Sequence, residues 1–547
     1  MSLLGAQVSA LIDGRSATRG LTGPSQRARD LTLGVLLFAG IVLYLSALPR
    51  NLNRADESYF LYEAKRIVEG QVMYRDMFQV VTPLASYTMS GLFWVFGTNM
   101  ATARIATAVL HGLTGVMLYA TCRRLGVRSQ VAVLVPLAYL ITGQAVWPFA
   151  SWHWFSTCFS TLLLYAMIAG PWPHRPAWAV VPGLLSGLLI SMLQQRGIPV
   201  AAGAGAALVL DALLDLRYGH PPSWKMLAVR IGWFTAGVAA VVIPVLMVFV
   251  VWAGADAMYD ALVRFPLQSY RPHLRASWGA IGRVTTVEYT YSTVLTYSPL
   301  VVVAPLVIAA VALVRGRDRE AVRQLCVLLV LSAAAALSIG YYPDVIHIAF
   351  IVGIFWVGAA VGVEWMLRAL RPVGPWRVAE TVGLATVALA FILQLGSYAR
   401  RQHRQFPVAH QTPFGRIDFG SRWEPVFMDK VRELVAATPT QELFCYSQLA
   451  APYLTTGGRN PTPYQLLIAG VSPPAHIENS LKILERRRVP YIVTAPLWMP
   501  PRDPVNKYIA EHYEYVSMPE VTALDEVPIY SLFRRKDLDA TSGQPAQ

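Results

Sequence analysis

The chain has 547 residues, 55% of them hydrophobic and only 14% charged, where a soluble domain carries about 25% charged residues. That balance, with charge-poor apolar runs recurring between residues 31 and 395, excludes a soluble globular enzyme and gives a polytopic α-helical membrane protein. The net charge of +14 sits mostly on Arg residues in short loops between apolar runs; this is a topology signal, and it excludes nucleic acid as a partner. The four cysteines, Cys122, Cys158, Cys326 and Cys445, show no metal or redox spacing, so neither a disulfide nor a zinc site is expected.

Residues 1–30 carry Arg15, Arg19, Arg27 and Arg29 and read as a cytoplasmic N-terminal tail. A span at about 31–48 is too long for a signal-peptide core and reads as a retained anchor. It delivers a loop at 50–100 to the outer face. Within the loop, residues 56–69 predict a surface-lying amphipathic helix: Phe60, Leu61, Ala64, Ile67 and Val68 share one face, and Glu63, Lys65, Arg66 and Glu69 take the other. A second helix starts with Thr82 as cap and Pro83 at its first position, and ends at Gly97. Its apolar core, 84–96, is too short to cross and reads as interfacial or re-entrant.

The next span, 101–121, ends in Arg123, Arg124 and Arg128, which are cytoplasmic only if 84–96 does not cross. Further spans follow near 130–147, 154–169, 177–193, 198–214, 231–253, 298–314, 322–340, 347–367 and 380–397. The total of about eleven makes 31–397 a transmembrane domain and leaves the C-terminus outside. Residues 254–297 form a longer outer loop. Residues 398–547 read as an extracytoplasmic α/β domain, with strands at 442–446, 491–494 and 528–533 and helices at 477–487 and 506–512. It carries no phosphate loop, nucleophile elbow or metal cluster.

Asp56-Glu57, just beyond the first span, is the leading site for chemistry. Moving a sugar onto a hydroxyl needs a base at the acceptor oxygen and cations at the departing phosphate. Tyr74-Arg75-Asp76 lies a loop away, and the plain alternative for Asp56 is a helix N-cap. Three other outer places carry polar groups: Ser151-Trp152-His153-Trp154, an aromatic belt or a sugar contact; Gln194-Gln195-Arg196, where Arg196 either snorkels or binds; and Tyr341 to His347, with Asp344 and His347 entering a span. Arg271 and Arg275 in the long outer loop offer a phosphate clamp or headgroup contacts.

The order of Asp-Glu-x-x-Phe/Tyr, Gly-x-x-x-Tyr-Arg-Asp, a Pro-led apolar helix ending Phe-Gly, and a span with Arg resembles the first outer loop of the GT-C-type membrane glycosyltransferases. That superfamily includes the protein O-mannosyltransferases and the aminoarabinose transferases. The motif match covers roughly 54–97, and the many-span layout with an outer α/β domain extends it in outline. The resemblance implies a polyprenyl-phosphate sugar donor, a lipid, glycan or protein acceptor, inversion at the anomeric carbon and Asp56 as base. It gives Glu57 an orienting or acceptor-binding role. Many relatives carry a basic residue before the Pro of the second loop helix, and Thr82 stands here instead. The phosphate contacts then fall to Arg75, Arg271, Arg275 and His347, and the sugar and acceptor contacts to Asp76, His153 and Asp344. The two acidic groups alternatively hold a divalent cation. The implied place is a bacterial-style inner membrane, and the rival reading is a polytopic transporter or lipid flippase.

Overall fold

Lipid offers no partner for a backbone amide, so apolar stretches of this length enter it as helices. The computed structural model describes residues 24–219, 223–270, 276–280, 292–316, 318–370, 375–447, 449–465, 467–468, 471–495, 503–524 and 526–538. Eight described helices are long and apolar enough to cross: Ser25–Ser46, Met100–Arg124, Gln194–Arg217, Trp224–Ala253, Ser292–Val314, Arg319–Ser338, Val345–Leu370 and Trp376–Gln405. The other three predicted spans lie on shorter helices, Ser129–Gln144, Trp152–Ala169 and Pro176–Met192, the first of which relaxes into a π-turn at Leu140–Gln144.

Helices Val180–Met192 and Trp224–Ala253 meet backbone to backbone. A Cβ on Gly183 would lie 2.2 Å from the Phe234 carbonyl oxygen, and one on Gly237 would lie 2.5 Å from that of Val180. Small-residue seams of this kind hold helices together where the hydrophobic effect is absent. Gly237→Leu is expected to pry the pair apart and lower the thermal midpoint in detergent, whereas Gly232→Leu, where a Cβ meets open space, is expected to leave it unchanged.

Ion pairs gather at the span ends remote from the first loop: Arg123 with Asp30, Arg128 with Glu364 and Glu380, and both Arg230 and Arg319 with Asp211. At the opposite end, the first loop forms helices Asp56–Val68 and Leu84–Phe96. The short second helix leaves Trp94, Val95 and Phe96 exposed at its end, in keeping with an interfacial segment. Thr82 is not its cap: the cap is Pro83, and Thr82 instead donates its hydroxyl to the Ile190 carbonyl at 2.8 Å.

The polar face of the Asp56–Val68 helix does not lie open at a membrane surface. Glu63 and Arg66 are buried along with Phe60 and Leu61, because the rest of the loop folds back over that side: Gln79 donates to Glu63, and Arg66 donates to Gln71 and to the Asp76 carbonyl, while the C-terminal domain packs on the apolar side. This domain has a hairpin, β1 (Val408–Thr412) and β2 (Gly415–Phe419), and a four-stranded sheet of β3 (Leu443–Tyr446), β4 (Tyr491–Thr494), β5 (Tyr513–Tyr515) and β6 (Ser531–Arg535). The sheet order is β3-β4-β6-β5, parallel only between β3 and β4. Helices Trp423–Ala436, Pro474–Arg487 and Pro504–His512 accompany it. One apolar core joins Phe60 and Ala64 of the loop helix, Phe93, Met192, and Trp423, Phe427 and Tyr453 of the domain. Tyr62 stacks on Tyr453 with ring centres 4.5 Å apart, its hydroxyl accepts from the Asn460 N–H at 2.9 Å, and Arg54 donates to both oxygens of Glu424. The first loop and the C-terminal domain therefore occupy one side of the membrane layer.

Candidate active site

The N-cap of the Asp56–Val68 helix is Ala55, without a side-chain cap, and Asn53 shapes the turn ahead of it. Asn53 Oδ1 accepts from the Ala55 N–H at 3.0 Å, and the Asn53 N–H donates to Glu57 Oε2 at 3.0 Å. Asp56, the first helical residue, is free of the capping role that its residue type suggests. Among the described residues its carboxylate accepts no hydrogen bond. Its side chain is solvent-exposed, at a place where neighbouring protein still crowds it. That enclosure raises its pKa above the ordinary carboxylate range; the His347 charge opposes the rise and the Asp344 charge adds to it, with solvent tempering the effect.

Adjacent residues on a helix point about 100° apart, and Glu57 faces the opposite way into the protein. Its Oε1 accepts from the Ala150 N–H at 2.7 Å and from Arg104; its Oε2 accepts from the Asn53 N–H at 3.0 Å and from Arg104 Nη2 at 3.0 Å. A carboxylate offers about four lone-pair sites, and all are filled. Among the described residues, Glu57 has no oxygen left for an acceptor or for a metal shared with Asp56, which leaves the acceptor-binding role without support and is compatible with the orienting one. It fixes the loop.

Opposite Asp56, helix Val345–Leu370 is capped by Asp344, whose Oδ1 accepts from the His347 N–H at 2.8 Å and lies 2.7 Å from His347 Nδ1. The turn that carries Asp344 is held by the long outer loop: Gly279 N–H donates to the Pro343 carbonyl at 2.8 Å and Val345 N–H to that of Ala280 at 3.1 Å. The His347 ring meets that of His153 edge to face at 5.2 Å, and His153 stacks on Phe350 at 4.4 Å. Arg196 then closes the cluster. Its Nη2 lies 3.3 Å from His153 Nδ1, and its Nη1 donates to the His153 carbonyl, the Ser156 hydroxyl and the Thr157 hydroxyl at 3.1, 2.8 and 2.9 Å.

Arg196 is not snorkelling. It is 2% exposed, Nε has no partner, and among the described residues no carboxylate pairs with it. It is placed there by a tight reversal at Leu193 between helices Val180–Met192 and Gln194–Arg217, which requires Gly197: a Cβ there would lie 2.4 Å from Ile190 Cα. The sequence signal for Arg196 was available, since an arginine one turn into an apolar span is a functional hypothesis by default.

The cluster thus sits where four helices begin, at Asp56, Trp152, Gln194 and Val345. The helix dipoles make such a place favourable for an anion, although the N–H groups of His153, Gln194, Arg196 and His347 already have acceptors. Arg75 and Asp76 are elsewhere in the loop. Arg75 donates to both Asp76 oxygens, at 3.0 and 2.8 Å, and the Val72 N–H donates to Asp76 Oδ2 at 2.7 Å. No described contact joins either to Asp56, His347 or Arg196. The self-satisfied pair leaves the phosphate and sugar roles expected of it without support. Arg271 and Arg275 lie outside the described residues. Among the described residues no group of three or more His, Cys, Asp or Glu is arranged to hold a metal ion.

No family model matches the sequence, and no curated protein matches it. Solved structures do. ArnT from Cupriavidus metallidurans bound to undecaprenyl phosphate superposes with a TM-score of 0.57 at 13% identity, over 94% of this chain and 99% of that one. Its apo state gives 0.57 at 14% identity, over 91% and 97%. The chain has the GT-C fold. A looser likeness, TM-score 0.45 at 13% identity, is to the arabinofuranosyltransferase AftD from Mycobacteria, over 92% of this chain and 40% of that one. Within the GT-C architecture, Asp56 and the Arg196 cluster stand on the side of the membrane layer occupied by the C-terminal domain.

Proposed function

We propose that this protein is a membrane glycosyltransferase that moves a sugar from a polyprenyl-phosphate donor to a hydroxyl of a lipid, glycan or protein acceptor. The observation that carries the reading is a pair of unsatisfied opposites bridged by His153 and His347: a buried guanidinium that, among the described residues, has no carboxylate partner, and a carboxylate that accepts no hydrogen bond from them. A buried cation without a counter-charge is costly, and an anionic ligand offsets that cost. Polyprenyl phosphate also suits a chain this apolar, and ArnT bound to undecaprenyl phosphate shares the fold.

In this scheme Arg196, supported by His153 and His347, holds the donor phosphate at the helix N-termini. Asp56 takes the proton from the acceptor hydroxyl. The acceptor oxygen attacks the anomeric carbon from the face opposite the phosphate, the carbon–oxygen bond to phosphate breaks, and the electron pair leaves on the phosphate, which Arg196 stabilises. The anomeric centre is inverted. Asp344 orients His347. The Arg-rich span ends are cytoplasmic by the positive-inside rule, which puts the site and the C-terminal domain at the outer face of an inner membrane.

Arg196→Ala is expected to weaken polyprenyl-phosphate binding about tenfold to a hundredfold, the worth of a charged hydrogen-bonding group. Arg196→Lys, which keeps the charge but loses the fork, is expected to fall between. Titrating the full-length protein in nanodiscs with undecaprenyl phosphate checks this. Unchanged affinity in both folded variants would remove Arg196 from the donor site.

A further inference from the structure

The buried acid Glu63 has no part in the scheme above. It lies on the Asp56–Val68 helix, 0% exposed; Oε2 accepts from Gln79 Nε2 at 2.6 Å, and Oε1 has no hydrogen-bond partner. Gln79 is equally buried, and its Oε1 accepts from the Val80 N–H at 2.7 Å. Gln79 begins a short strap, 79–82, that runs to the Leu193 reversal: Gln194 Nε2 donates to the Val80 carbonyl at 2.8 Å and Gln194 Oε1 accepts from the Thr82 N–H at 2.9 Å. The strap therefore joins the helix that begins with Asp56 to the helix that carries Arg196, and Glu63 is its anchor on the Asp56 side.

The chemistry of that anchor depends on a proton. As a neutral acid, Glu63 needs only the Gln79 amide and the nearby Ser86 hydroxyl. As an anion it would be fully buried with a single cation, Arg66, to offset the charge. From its own helix, Tyr59 and Arg66 face it; from the loop, Tyr74; from helix Leu84–Phe96, Tyr87. Arg66 is the one cation of this set; its Nε and Nη2 are committed to Gln71 Oε1 and the Asp76 carbonyl, and its buried Nη1 has no partner among the described residues. Burial accordingly pushes the Glu63 pKa up to about 8.

We propose that Glu63, kept protonated, is a positioning residue for Asp56: it pins the 79–82 strap and so holds the base against the Arg196 cluster, and its ionisation frees the strap. The catalytic consequence rests on the glycosyltransferase reading; the release of the strap does not. The sign is that of a carboxyl whose folded pKa is raised. Strap opening gains up to about tenfold per pH unit as pH climbs from the ordinary carboxylate range towards about 8, and it levels off above that value, where the pinned state has lost the proton as well.

The test is hydrogen exchange of the full-length protein in nanodiscs at pH 7 and pH 9, corrected for intrinsic rate, beside turnover with a polyprenyl-phosphate sugar. Peptides covering 72–82 in the natural protein are expected to exchange about tenfold faster at pH 9. Glu63→Gln, which keeps the Gln79 contact without the charge, is expected to abolish that rise and to move the alkaline limb of turnover upward. Glu63→Leu is expected to open the strap at both pH values, with Glu63→Gln as its rescue. A pH-dependent rise that persists in Glu63→Gln would overturn the proposal, as would equal protection at both pH values in the natural protein. Absence of any transfer, with the exchange results as expected, would instead count against the glycosyltransferase reading alone.

Discussion

Asp56→Asn is expected to lower turnover about 10²- to 10⁴-fold, the usual worth of a general base, with the thermal midpoint unchanged. Both halves follow from the same geometry. Asparagine matches aspartate in shape, and Asp56 lends no hydrogen bond to the fold that the substitution would remove. What disappears is the only function left to it, accepting a proton. The pH profile of the natural enzyme carries a second signature. The base works as the anion, so activity is lost as pH falls through its pKa; because enclosure raises that pKa, the acid limb is expected above the ordinary carboxylate range. His347→Gln removes a charge that favours the anion and is expected to move the limb higher still. Sugar transfer from a polyprenyl-phosphate donor, measured across pH beside thermal unfolding, checks both. A folded Asp56→Asn protein with natural turnover would dismiss Asp56 as the base.

The membrane layer was legible because its signal is long and redundant. Each predicted span has a helix, and the arginines placed at one set of ends meet there in ion pairs such as Arg128 with Glu364. The short loop helix 84–96 was legible for the same reason, since 13 residues cannot cross. In the C-terminal domain, the strands at 443–446 and 491–494 stood out as apolar runs, whereas the hairpin Val408–Thr412 and Gly415–Phe419 did not, being polar and short. At the site, residue type ranked Asp56 and Glu57 together. The resemblance alone set them apart, and the fold adds a physical reason by leaving Asp56 exposed and turning Glu57 into a ring of donors. The same limit applies to the face of Glu63 and Arg66. An amphipathic pattern shows which face is polar, and it cannot show that the next residues of the loop, from Gln71 to Ser86, fold back and cover it. Arg75 is the reverse case: a cation in the right motif whose neighbour Asp76 already satisfies it.

Glu57→Gln is expected to do the opposite of Asp56→Asn, one residue away: to cost stability first and turnover only as a consequence. The Glu57 side chain is fully buried and that of Arg104 nearly so, at 0% and 11% exposure. Removing one partner of such a pair leaves a buried charge uncompensated, at about 3–5 kcal/mol. The amide makes matters worse locally, because one of its ends is a donor and every group around Glu57 is also a donor: the Asn53 and Ala150 N–H groups and two guanidinium nitrogens. The damage should spread to the loop's entry, since Arg104 also donates to the Asn51 carbonyl. Unfolding midpoints in detergent, with limited proteolysis of residues 50–60, measure the effect. Replacing Arg104 by Gln in the same chain removes the stranded charge, so the double variant is expected to lose less than the sum of the two single losses. If Glu57→Gln kept its midpoint and lost only turnover, Glu57 would belong at the reacting centre after all, and the division of labour between these two adjacent carboxylates would have to be redrawn.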